Sequence, residues 1–123
     1  MKKTIVITGA SRGIGKAIAI ELAGKDTNIV INCVNNVDKL NEVKSIIEEK
    51  GSVCETFIGD MGNYSDVQKM FDMCLQRFGQ VDVLVPYNYH LSDDEIKKQI
   101  QKKITEKQSE CRAVINIDKS YTG

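Results

Sequence analysis

The chain has 123 residues, room for one domain with a few helices on a sheet and too little for two. Its 17 basic and 17 acidic side chains cancel, which excludes a global field that would draw the molecule onto nucleic acid or an anionic membrane. Cys33, Cys54, Cys74 and Cys111 make no CxxC pair and stand with a lone histidine, His90, so no metal site and no redox pair is expected, only small buried thiols in a reducing cytoplasm.

Met1, Lys2 and Lys3 lead directly into an apolar run too short for a secretory signal or a membrane span. A cytoplasmic protein with neither a membrane nor a nucleic-acid partner is expected. Residues 4–8 (TIVIT) read as a first strand and residues 28–34 (NIVINCV) as a second, with a third over 53–58 and a fourth over 81–85 (VDVLV). Between them run segments of helical period. Ile14, Ala17, Ile18 and Leu22 define one apolar face, Val37, Leu40, Val43 and Ile47 the next, and Val67, Met70, Phe71, Cys74, Leu75 and Phe78 a third that stops at Gly79. This alternation predicts repeated βαβ units and a parallel sheet covered on both faces.

After residue 85 the texture changes. Pro86, Tyr87, Asn88, Tyr89 and His90 read as an irregular connector, and Ser92 with Glu95 as a capping box opening a lysine-rich helix over 92–109. Only Ile96, Ile100 and Ile104 give that helix an apolar edge, so a peripheral place is expected. Residues 113–117 (AVINI) read as a fifth strand. The predicted architecture is a single α/β domain over 1–123, a three-layer α/β/α Rossmann-like sandwich on a five-stranded parallel sheet in the order 3-2-1-4-5.

Thr8 to Gly15 (TGASRGIG) lies where the first strand ends and the first helix opens. Gly9, Gly13 and Gly15 allow a tight turn, the approach of a pyrophosphate and close packing of helix on strand. The free N–H groups of the helix start then face the phosphates.

The Gly-x-x-x-Gly-x-Gly spacing after Thr8 resembles the short-chain dehydrogenase/reductase family. The likeness continues through IGDMGNYSDVQKMFDMCLQRFGQVDVLV, residues 58–85, and within residues 2–85 is closest to the 3-oxoacyl-carrier-protein reductase branch. The resemblance implies a dinucleotide partner bound through Gly9, Ser11, Arg12, Gly13, Ile14, Gly15, Asp60 and Met61, with Asp60 accepting from the adenine amino group. It favours NADP over NAD: Cys33, Val34, Asn35 and Asn36 offer no carboxylate for ribose hydroxyls, and Arg12 matches the basic residue that NADP-preferring members use on the 2′-phosphate.

The family's catalytic Tyr-x-x-x-Lys has no counterpart. Four residues beyond Tyr64, Tyr87 and Tyr89 stand Gln68, Leu91 and Asp93, and Tyr121 is followed only by Thr122 and Gly123. The family's Asn-Asn-Ala-Gly after strand four is replaced by Pro86, Tyr87, Asn88 and Tyr89, and Ser120 is the nearest match to its serine after strand five. No catalytic residue is therefore assigned. Three readings follow: a truncated reductase half that binds NADP without catalysis of its own, a structural or recombined domain with a vestigial cofactor site, and an active NADPH-dependent carbonyl reductase with an atypical donor such as Tyr87, Tyr89 or His90. A homo-oligomer is left open.

Overall fold

The computed structural model describes residues 2–86 and 111–115. Runs of β-branched residues form β1 (Lys3–Ile7), β2 (Thr27–Cys33), β3 (Val53–Ile58) and β4 (Val81–Val85), and β5 covers Cys111–Val114. Between the first four lie α1 (Gly13–Leu22), α2 (Val37–Glu49) and α3 (Tyr64–Phe78). The sheet order is β3-β2-β1-β4-β5 and every pairing is parallel. This is the Rossmann-like arrangement expected from the sequence.

Because side chains alternate along a strand, the sheet feeds two cores. Ile5, Ile7, Ile29, Ile31 and Cys33 pack with Leu40, Val43 and Ile47 of α2 and Ala19 of α1. On the opposite face, Val6, Val30, Val81 and Leu84 meet Val67, Met70, Phe71 and Cys74 of α3. α3 is closed at both ends by its own sequence. The Asn63 side chain accepts from the Ser65 and Asp66 amides, and Gly79, left-handed at φ 80°, donates its N–H to the Leu75 carbonyl.

Three details differ from expectation. The buried line of α1 is Gly15 and Ala19, with Ile14 and Ile18 only partly buried, Ala17 exposed and Leu22 37% exposed. The smallest residues face inward because they let the helix come closest to the loop and sheet, and the larger ones pack on its flanks. In α2, Val37 likewise stands 44% exposed beside the buried Leu40, Val43 and Ile47. β5 starts earlier than the 113–117 reading, since Val81 of β4 already pairs with Cys111. Arg112 lies exposed on this outermost strand, and its Nε reaches Oδ1 of Asp82 at 3.4 Å.

Asp82, only 4% exposed, ties three strands together. Its Oδ2 accepts from the Thr4 amide of β1 at 2.8 Å and from Gln80 Nε2 at 2.9 Å, while Oδ1 faces Arg112 of β5. The lysine-rich segment 92–109, with Tyr87, Asn88, Tyr89, His90 and Ser120, lies outside the described residues.

Candidate functional site

In a parallel sheet the loops that follow the strands gather at one edge, and a crevice opens where neighbouring strands send their chains in opposite directions. Here that point lies between β1 and β4. Thr8, just past β1, donates its N–H to the Val85 carbonyl at the end of β4, at 3.1 Å. Ala10 donates its own to the Asn32 carbonyl of β2, at 2.8 Å. The glycine-rich loop is thus fastened to both strands that flank β1.

Gly9 and Gly13 both adopt φ 63°, the left-handed region that favours glycine. A Cβ at Gly13 would meet no atom within 4 Å, so the space above it is open. Arg12 stands at the N-cap of α1 with no side-chain cap hydrogen bond, and the first turn carries no acid. The first amide with an intrahelical partner is that of Lys16, on the Arg12 carbonyl. The amides of Gly13, Ile14 and Gly15 are left without an intrahelical acceptor at the positive end of the helix dipole, an arrangement that suits an anion.

Beside this helix start lies a cleft of about 450 Å³, lined by Ser11, Arg12, Cys33, Val34, Asn35, Asn36 and Asp60. The predicted residues divide accordingly. Ser11, Arg12 and Asp60 line the cleft; Gly9, Gly13, Ile14 and Gly15 build the loop and helix start next to it; Met61 packs against the core on the α3 side. The segment Cys33 to Asn36 contributes no carboxylate, and among the described residues Arg12 has no acidic partner. Burial pushes the Cys33 thiol up, and its hydrogen bond with the Asn36 backbone offsets this only in part.

Asp60 is held in place from several sides. Its amide donates to Oδ2 of Asp66 at 2.9 Å, its Oδ1 accepts from the Gly62 amide at 2.8 Å, and its carbonyl accepts from the Asn63 amide at 2.9 Å. Among the described residues its second carboxylate oxygen has no hydrogen bond, so it can still accept one from a ligand. Asp66 and Asn32, which support this wall, were not singled out in the sequence. The available signal was an amide side chain within the apolar run NIVINCV, where a polar group must find buried partners.

Among the described residues no group of three or more His, Cys, Asp or Glu could hold a metal, and no helix is long and apolar enough to cross a membrane.

The short chain dehydrogenase family model matches residues 3–117. The chain belongs to this oxidoreductase family, whose cofactor is NAD(P). It is 38% identical over 82 residues to versicolorin reductase 1 of Dothistroma septosporum, covering 67% of this chain and 31% of that protein. It is 36% identical over 85 residues to the 3-oxoacyl-(acyl-carrier-protein) reductase of Staphylococcus epidermidis, covering 69% of this chain and 35% of that one. The chain therefore spans about a third of the length of these relatives. Among solved structures, an alcohol dehydrogenase from the archaeon Thermococcus sibiricus, complexed with 5-hydroxy-NADP, superposes with a TM-score of 0.69 at 28% identity, over 88% of this chain and 54% of that one.

Proposed function

We propose that this chain is the nucleotide-binding half of a reductase and holds NADP by its adenosine and pyrophosphate end. The observation that carries the reading is the pairing of an uncapped helix start at Arg12 with an acid-free cleft wall from Cys33 to Asn36. The amides of Gly13, Ile14 and Gly15 hold the pyrophosphate, and Gly9 lets the loop turn beneath it. Ser11 and the Arg12 guanidinium take the 2′-phosphate side of the cleft, where a carboxylate would repel it. Asp60 accepts from the adenine amino group with the oxygen that Gly62 leaves free, and Met61 backs that wall from the core. Support for NADP rather than NAD comes from Arg12 and from the structural relative complexed with an NADP derivative.

Reduced nicotinamide supplies a hydride when bound. The 123-residue chain brings no Tyr-x-x-x-Lys pair to deliver the accompanying proton, so we assign it binding without turnover of its own. Calorimetric titration with NADPH and NADH tests this. Saturable NADPH binding that Gly13→Val abolishes supports the assignment; no NADPH binding leaves a structural domain with a vestigial site.

A further inference from the structure

Asn32, the sixth residue of β2, is 2% exposed and touches both walls of the cleft. Its backbone carbonyl accepts from Ala10 in the glycine loop at 2.8 Å. Its side-chain Nδ2 donates across to β3 and the chain beyond it, to the Phe57 carbonyl at 3.0 Å and the Gly59 carbonyl at 3.1 Å. The Cys33 carbonyl, at 3.3 Å, is a longer third contact for an amide with two hydrogens. Gly59 returns its own N–H to the Cys33 carbonyl at 3.0 Å, and Asp60 follows directly.

One residue therefore fastens the phosphate-side loop by its main chain and the adenine-side loop by its side chain. We propose that Asn32 is a positioning residue that sets the separation of the two cleft walls and so the affinity for a nucleotide spanning them. This rests on the nucleotide-binding reading above. The chemistry explains the residue type. Phe57 stands opposite Asn32 in the ladder and regular pairing ends one residue later, at Ile58, so an amide of this length can supply two hydrogens to the part-buried Phe57 and Gly59 carbonyls without a charge. A carboxylate of the same shape would face three carbonyl oxygens with nothing to donate.

The test compares Asn32→Ala and Asn32→Ser with the wild type in NADPH titrations and in amide hydrogen exchange of the free proteins. Losing a buried hydrogen-bonded clamp weakens NADPH binding by about tenfold or more in the folded variants. Exchange accelerates at Gly59 and Asp60, while Ala10, held by the unchanged main chain of residue 32, keeps its protection. General destabilisation would instead accelerate all three together. Folded variants that bind NADPH as tightly as the wild type, or that exchange uniformly faster, overturn the proposal. If neither variant folds, the Asn32 side-chain amide protons of the wild type decide: saturation with NADPH slows their exchange if the residue clamps the occupied cleft, and an unchanged rate contradicts it. A wild type that binds no NADPH removes the functional reading instead, and the exchange pattern then still judges the clamp.

Discussion

A Cβ on Gly15 would stand 2.4 Å from the carbonyl oxygen of Gly9, so the first turn of α1 rests directly on the backbone of the glycine loop. No side chain can share that contact. The atom in the way is main chain and cannot swing aside, so Gly15→Ala must push the helix off the loop at a cost of about 1–3 kcal/mol. Gly13 is the opposite case: a Cβ there meets nothing, and only the φ of 63° resists it, which costs about 1–2 kcal/mol. Gly13→Val is expected to remove NADPH binding with a moderate loss of stability, and Gly15→Ala to show the larger loss in chemical denaturation. Equal denaturation midpoints for Gly15→Ala and the wild type would contradict the packing.

The Asp82 carboxylate should matter to folding more than its ion pair does. Asp82→Ala leaves the buried Thr4 amide without its acceptor and is expected to cost about 1–3 kcal/mol. Arg112, with a side chain 74% exposed, contributes at most about 1 kcal/mol through the same carboxylate. Urea denaturation of Asp82→Ala and Arg112→Ala should rank them in that order. The reverse ranking would show that the cation, not the strand-joining hydrogen bond, dominates.

Alkaline conditions should destabilise the fold through its thiols. Burial pushes Cys54 and Cys74 up to about 12 from the ordinary 9.0. The folded state therefore holds these protons more tightly than the unfolded chain does. Their contribution is undiminished below about pH 9 and is lost as the pH rises toward about 12. Cys74→Ala should flatten the decline relative to the wild type when denaturation midpoints are followed across that window. Identical slopes would place the alkaline loss elsewhere, and both thiols should resist alkylation in the folded chain at neutral pH.

Carbonyl reduction is expected to be absent from the 123-residue chain supplied with NADPH and a β-keto ester. Positioned proton donation typically contributes about 10² to 10⁴ in rate, and no tyrosine of this sequence has a lysine four residues on. Turnover that disappears in Tyr87→Phe or Tyr89→Phe would reverse this and assign the donor to the connector after β4.

The strands were legible because β-branched runs such as TIVIT and VDVLV fit little else, and their order followed from right-handed crossovers. The inward face of α1 was not, since Gly15 and Ala19 contribute too little apolar area to stand out from Ile14 and Leu22. The start of β5 was not legible either, since the apolar run begins only at Ala113 and the strand's second residue is the exposed Arg112. That Ser11, Arg12 and Asp60 come together along one cleft could be read from the resemblance. The contacts of Asn32 could not, because its amide bonds carbonyls 25 and 27 residues away that no local pattern connects to it.

Calorimetric titration of the 123-residue chain with NADPH, NADH and adenosine 2′,5′-bisphosphate tests the assignment of the cleft to NADP most directly. Saturable binding of NADPH is expected, with the bisphosphate retaining most of the affinity because the contacts lie at the adenosine end. NADH should bind more weakly. Arg12→Ala should remove the difference between NADPH and NADH, since a charge-assisted contact to the 2′-phosphate is worth about 1.5–3 kcal/mol. Absence of binding to any of the three, or NADPH affinity unchanged by Arg12→Ala and Gly13→Val alike, would contradict it.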